Sequence, residues 1–189
     1  MLLPIRDIAP YLSPIFHNFT LHSIIQMSQL TLPFSLDKRL RVQHLALEEI
    51  IGAVPEEQLH LDLRPGKWTA FENAAHLAAF HHVYKKRIER MMKEDAPVFE
   101  PYIWEEDKRF AEFKDMRKDI LLEQYVQDRQ DLIALVDTLS GTDLQRTGIH
   151  GVYGQFSIAH WLEMFVLHEA RHLYIIFQLA HTKHKQPLL

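Results

Sequence analysis

Apolar residues recur at helical rather than alternating spacing along most of this chain, and they form four long stretches. Each stretch is bounded by start or stop signals such as a capping Ser or Thr or a following Pro or Gly. The predicted helices run from about Ser35 to Ala53, from Thr69 to just before Pro97, from about Asp107 to Leu139, and from Ser157 onward. No segment has the clear period of a strand. We therefore predict an all-α protein, a four-helix bundle.

The connections between these helices carry further local signals. Segment 94–106 contains two prolines and a tryptophan, and its length allows crossover connections instead of a plain up-and-down order. Segment 148–154 is rich in glycine and aromatic residues and is a candidate short hairpin. Thr69 and Glu72 have the spacing of a capping box, which favours a helix start at that point.

The first 34 residues differ from the rest of the chain. Their apolar runs are all interrupted by prolines, and only Arg6 and Asp7 are charged. We interpret residues 1–34 as an N-terminal arm or extension, with Met27 as an alternative start, and residues 35–189 as one bundle domain. The chain shows neither a secretory signal nor an apolar stretch of the roughly 20 residues that span a bilayer, so we expect a cytoplasmic protein without membrane partners.

The amino-acid composition limits which metal ligands and which partners the chain can have. The 189 residues include 13 histidines and no cysteine, so any metal must be held by nitrogen and oxygen ligands. The formal net charge is −4, whereas non-specific nucleic-acid binding needs a basic surface, so we expect no nucleic-acid partner. The 47% hydrophobic content is ordinary for a globular domain. The excess of histidine is the feature that needs an explanation.

Three histidines interrupt apolar helix faces. His168 and His172 replace core residues at successive turns of the last predicted helix, and residues four apart lie about 40° apart around a helix. His76 interrupts the inward face of the second helix among small alanines, which leave space inside the bundle. Burying three imidazoles is costly unless their nitrogens are satisfied, and one divalent cation would satisfy them. We interpret His81 and His82 as surface residues that flank the stripe of the second helix. Three further polar residues have two interpretations, a place at the cavity or, the one we favour, a solvated face: His44, Asp128, Arg129.

Spacing by itself is weak support for a metal site. In a chain with 13 histidines about one H-x-x-x-H pair is expected by chance, so metal ligands and satisfied core histidines both stay open. Residues 168–172 also read H-E-x-x-H, but the downstream ligands of zinc proteases are missing. A di-iron site would need inward glutamates that the helices lack. A metal-free interaction or stress-response module is the non-enzymatic alternative.

Two segments resemble the DinB/YfiT-like superfamily. One is Lys67-Trp68-Thr69 with Glu72 and His76 behind it, and the other is residues 154–162 leading into the H-x-x-x-H pair. The resemblance covers about residues 36–182. It implies a DinB-like four-helix bundle, often dimeric, with one divalent metal held by His76, His168 and His172.

The resemblance also implies a class of reaction. The better-understood members of the superfamily are thiol S-transferases, others are labelled metal-dependent hydrolases, and many have no known activity. The resemblance therefore implies a small-molecule substrate and a homodimer. The metal would be Zn or Ni, with Mn or Fe as alternatives, and three imidazoles leave coordination positions open. A transferase would need an external low-molecular-weight thiol, because the chain has no cysteine. Glu72, one turn before His76, is the candidate catalytic base, with the capping box as its rival role.

Overall fold

The computed structural model describes residues 31–182. Of the predicted arm, residues 1–34, only 31–34 fall within that range, so its structure and the Met27 start lie outside the described residues. The helices of this range are α1 (Phe34–Val42), α2 (Ala46–Ile51), α3 (Glu56–Leu59), α4 (Ala70–Lys93), α5 (Lys108–Lys114), α6 (Lys118–Asp137) and α7 (Ile158–His181). The strands are β1 (Val98–Phe99), β2 (Thr147–His150) and β3 (Gly154–Ser157).

The all-α four-helix bundle is confirmed, with α1–α2, α4, α6 and α7 as its long elements. Its core divides into two apolar clusters along α4. Residues 70–79 of α4 pack with the C-terminal half of α7, whereas residues 80–91 pack with its N-terminal half. The two central helices are therefore antiparallel. No helix between residues 31 and 182 is both long and apolar enough to cross a membrane.

The prediction of one continuous third helix is wrong. It consists of α5 and α6, which are separated at 115–117, where Arg117 has an extended backbone. Phe110 and Phe113 of α5 are buried in the core, although charged residues surround them in the sequence. The break lets these two rings pack against α4 while α6 turns its own stripe of apolar residues inward. The helix also ends at Asp137, before the predicted Leu139.

The first predicted helix is also interrupted. A 3-10 turn at Gln43–Leu45 separates α1 from α2, and the cap of α1 is Pro33 and not Ser35. The fixed φ of proline suits this position, where a backbone N–H would have no partner within the helix. The starts predicted for α4 and α7 are confirmed, because the Thr69 and Ser157 hydroxyls each accept a backbone N–H.

A small three-stranded sheet joins the two long connections. The candidate hairpin is confirmed as antiparallel β2 and β3, and β1 adds to β2 in parallel. Helical spacing gave no sign of β1, which is only two residues long. The sheet packs tightly on the bundle at Gly148, where an added Cβ would lie 2.8 Å from the Met91 sulfur of α4. Arg146, just before β2, donates hydrogen bonds to the Met91 and Glu94 carbonyls and thereby caps the end of α4.

A buried polar network crosses the bundle core. Arg129 of α6 forms an ion pair with Glu169 of α7, and both side chains are almost completely inaccessible to solvent. Arg129 also donates to His81 Nε2 and to the Leu40 carbonyl, each at 2.9 Å. Glu169 accepts further bonds from the Tyr125 hydroxyl and from Gln43. These bonds tie α6 and α7 to α1, to α4 and to the 3-10 turn after α1.

The structure corrects three sequence interpretations, two of them for members of this network. Arg129, His81 and His44 were expected on solvated faces or at the surface, but all three are buried. Helical spacing could not reveal this, because a polar residue on an inward face looks the same in the sequence whether it is solvated or paired with another helix. Asp128, by contrast, lies near the surface in an ion pair with Arg109.

We expect this network to carry much of the stability of the fold. Glu169→Gln removes the only carboxylate paired with a buried guanidinium between residues 31 and 182, so it should reduce the free energy of unfolding by about 3–5 kcal/mol. Glu163→Gln is the matched control, since Glu163 lies on the same helix and pairs with Arg39 in a partly exposed position. That change should cost about 1 kcal/mol or less. Chemical denaturation of both variants tests this, and equal losses would contradict it.

Candidate metal centre

The three histidines singled out by the sequence come together between α4 and α7. His76 lies on α4, while His168 and His172 lie one turn apart on α7. One ring nitrogen of each lies within 4.8 Å of the other two, and the Nε2 atoms of His76 and His168 are 3.2 Å apart. Two nitrogens bound to a tetrahedral ion at about 2.0–2.1 Å are roughly 3.3 Å apart. The spacing of the His76–His168 pair therefore matches that of two ligands of one cation.

The antiparallel packing of α4 and α7 creates this convergence. The triad lies where the two apolar clusters of the core meet, and small alanines flank His76 on α4. The capping box holds the start of α4, two turns before His76. The small alanine side chains leave room for imidazole rings where larger residues would fill the interior. Local sequence and helix packing thus produce the site together.

Asn73 is the partner that orients the triad. Its side-chain oxygen accepts a hydrogen bond from His172 Nδ1 over 2.8 Å. Its amide group donates to the Thr69 carbonyl at 2.8 Å, and this bond fixes which end of the amide faces the ring. With Nδ1 protonated, the lone pair of His172 is on Nε2, the arrangement typical of metal-bound histidines. Asn73 was not among the residues singled out from the sequence, although a polar residue one turn before His76 on an inward face was a usable signal.

The other two rings are incompletely satisfied. His76 Nδ1 and His168 Nδ1 are buried, and neither has a hydrogen-bond partner among residues 31–182. The two rings contact each other through their Nε2 atoms. Burying polar atoms without partners is unfavourable, so this arrangement is unusual for histidines that only fill a core. The facing Nε2 atoms are the pair that a cation would bind, whereas the two Nδ1 atoms would stay unpaired with or without it.

Burial keeps the triad in its metal-binding form. Removal from water lowers the pKa of His76 to about 3, of His168 to about 2 and of His172 to about 4. The neighbouring imidazoles and Arg171 add smaller contributions in the same direction. All three rings are therefore neutral at pH 7. A neutral imidazole has a lone pair to donate, so no proton has to leave before a cation binds.

Aromatic side chains enclose the triad. The rings of Trp68 and Tyr102 lie 4.8 and 5.7 Å from His76, and the ring of Phe80 lies 4.5 Å from His168. Trp68 precedes the capping box of α4, so the same turn that starts the helix places this ring over the site. These walls limit the access of water, which strengthens electrostatic interactions inside the site.

Glu72 lies in the capping box. Its carboxylate accepts the Thr69 backbone N–H at 2.9 Å, and its own N–H donates to the Thr69 hydroxyl at 3.1 Å. The structural role weighed for Glu72 is therefore present. Its role as a catalytic base stays a prediction, and its carboxylate belongs to the turn that carries Asn73 and leads to His76.

Comparison with known proteins places these features in a family. The sequence model of the DinB superfamily matches residues 39–176, which include the whole triad. A relative from Oceanobacillus iheyensis, named "Putative metal-dependent hydrolase OB0782", is 30% identical over 139 residues. That alignment covers 72% of this chain and 79% of the relative.

A solved structure matches the fold. It is YfiT from Bacillus subtilis, described as "a probable metal-dependent hydrolase with an unusual four-helix bundle topology". The TM-score is 0.67 at 23% sequence identity, and the match covers 77% of this chain and 83% of YfiT. The resemblance seen in the short motifs thus extends over most of the sequence and over the fold. The chain belongs to the DinB superfamily.

Proposed function

We propose that this protein is a metal-dependent hydrolase of small molecules and that His76, His168 and His172 hold its divalent cation. The observation that carries this proposal is the convergence of three neutral imidazole donors from two helices within 4.8 Å. The relatives support the reaction class, since both are named as metal-dependent hydrolases. An all-imidazole donor set suits Zn or Ni, and metal availability would decide between these and Mn or Fe.

The chain's own residues prepare the site. Asn73 fixes the tautomer of His172, and burial keeps all three rings uncharged. The aromatic walls of Trp68, Phe80 and Tyr102 limit the entry of water. When bound, a divalent cation supplies Lewis-acid polarisation of a substrate carbonyl or phosphoryl oxygen and lowers the pKa of water. Three protein ligands leave coordination positions open for a substrate, as in catalytic sites.

The other expectations stay predictions. An S-transferase would use an external thiol at the same site, and a requirement for added thiol in turnover assays would favour it over hydrolysis. Leu167, Tyr174 and Phe177 are exposed apolar residues on α7, and the expected homodimer is a prediction for which they are candidate contacts. The cytoplasmic compartment is likewise a prediction from the sequence.

Metal binding is the first test of the proposal. Purified protein loaded with Zn or Ni and then desalted should retain about one equivalent, because three donors converge on one point. His168→Ala combined with His172→Ala should retain less than about 0.2 equivalents. The control is His82→Ala combined with His160→Ala, which removes two histidines outside the triad and should retain the wild-type amount. Elemental analysis measures all three proteins, and an unchanged metal content in the triad variant would contradict the proposal.

Substitutions at Asn73 test whether its hydrogen bond orients His172 as a metal ligand. Asn73→Ala removes the oxygen that holds His172 and should weaken metal affinity by roughly 10- to 100-fold. Asn73→Asp keeps an oxygen acceptor at the same position and should retain most of the affinity. Competition with a chromogenic chelator measures both values. Equal affinity of Asn73→Ala and wild type would show that the hydrogen bond to His172 does not orient a ligand.

The Glu72→Gln variant tests whether Glu72 acts in catalysis as well as in the helix cap. Glutamine also fits the capping box, so the variant should fold with little change in stability. If Glu72 is the general base, hydrolysis of p-nitrophenyl butyrate by the metal-loaded protein should fall by about 10²- to 10⁴-fold. Steady-state assays at equal metal content test this. Full activity of the Glu72→Gln variant would show that Glu72 acts only in the helix cap.

A further inference from the structure

A large cavity opens beside the metal centre. It has a volume of about 670 Å³, and His168 and Arg171 are among its lining residues. Most of its surface is apolar, with walls that include Phe80, Tyr102 and Phe156. Cavities of several hundred Å³ with apolar walls and a few polar groups are typical of small-molecule sites. One triad member thus faces a space that suits an apolar molecule.

Arg87 is the unusual residue of this cavity. Its guanidinium lies 5.3–5.8 Å from the ring centres of Tyr84, Phe99 and Trp161. Burial against these rings lowers the pKa of Arg87. A guanidinium has five N–H donors, and within the described residues Arg87 uses one, to the Glu100 carbonyl at 3.2 Å. The three rings lie against the guanidinium, and four of its five N–H donors form no hydrogen bond within the described residues.

No carboxylate of the described residues neutralises Arg87. Glu163 is the acidic residue that lines the cavity, and both of its oxygens are bound by Arg39, at 2.8 and 2.7 Å. Arg171 supplies a second cation at the cavity wall, and it forms no ion pair within residues 31–182. A partly buried cation without a counterion costs desolvation energy that a bound anion would offset. The cavity therefore combines apolar walls with positive charge.

We propose that this cavity binds a small organic anion with an apolar or aromatic body and that the Arg87 donor edge holds its acidic group. The planar fork of arginine matches a carboxylate, sulfonate or phosphate, and such pairs are stronger than neutral hydrogen bonds. The inference rests on the proposed hydrolase, because the remainder of the molecule would extend towards His168. It narrows the substrate class to amphiphilic acids and makes Arg87 a specificity residue at a distance from the metal ligands.

Two fluorescent probes test this without turnover. 8-Anilino-1-naphthalenesulfonate carries an acidic group on an aromatic body, and N-phenyl-1-naphthylamine is nearly the same molecule without it. Arg87→Met should weaken binding of the sulfonate by about 10- to 100-fold and leave binding of the neutral amine almost unchanged. Arg90→Met is the matched control, since Arg90 lies on the same helix, contacts Phe99 and pairs with Glu94 outside this cavity. It should change neither affinity.

A second measurement uses the unaltered protein. In wild type, 4-phenylbutyrate should displace the sulfonate probe at a concentration about 10-fold lower than 4-phenylbutanol, which has the same apolar body. Equal potency of acid and alcohol, or equal loss of both probes in Arg87→Met, would overturn the proposal. Because binding is read directly, a protein that prefers the acids but hydrolyses nothing would refute the hydrolase and leave the anion site standing.

Discussion

A buried guanidinium–carboxylate pair sets the positions of the helices on which the site depends. Arg129 and Glu169 lie in the core with almost no solvent exposure, and such a pair is tolerable only when its remaining donors and acceptors are also satisfied. Here they are, through His81, Tyr125, Gln43 and a backbone carbonyl. A rotation or a shift of α7 would leave a charge unpaired in the interior. The pair therefore fixes the register of α7 against α6 and α4.

The register fixed by Glu169 also fixes the triad. His168 precedes Glu169 by one residue and is rotated from it by about 100° around α7, so when one side chain faces α6 the other faces α4. Two polar clusters thus lie side by side in one bundle, but they differ in how completely their hydrogen-bonding groups are paired. The Arg129 network uses its donors and acceptors within the chain, whereas two triad nitrogens are buried without partners in the described residues. The Nε2 atoms of His76 and His168, by contrast, contact each other and have no hydrogen-bond partner outside the triad among the described residues.

The sequence revealed the triad because three histidines interrupt apolar stripes, a signal that survives without knowledge of how the helices pack. It also predicted the bundle, the hairpin and both capped helix starts. It missed Asn73, although the place of that residue on an inward face was a usable signal. It also missed the burial of His81 and Arg129, because their partners lie on other helices and a pairing between helices leaves no mark in local spacing. The break between α5 and α6 was missed for a related reason. Phe110 and Phe113 continue an acceptable helical pattern, and only packing against α4 requires the chain to turn after them.

Charge balance connects the metal centre with the cavity beside it. Three neutral imidazoles contribute no negative charge, so a divalent cation on them would keep its full charge in a weakly solvated interior. Arg171 lies beside both His168 and His172 in the cavities they line, and Lys67 and Arg64 line the second of these cavities. Arg87 adds a further cation at the wall of the larger one. A region so rich in positive charge stabilises negative charge wherever it develops, including on an oxygen under attack in the proposed hydrolysis. The same electrostatics that would assist the reaction thus also favour an acidic substrate.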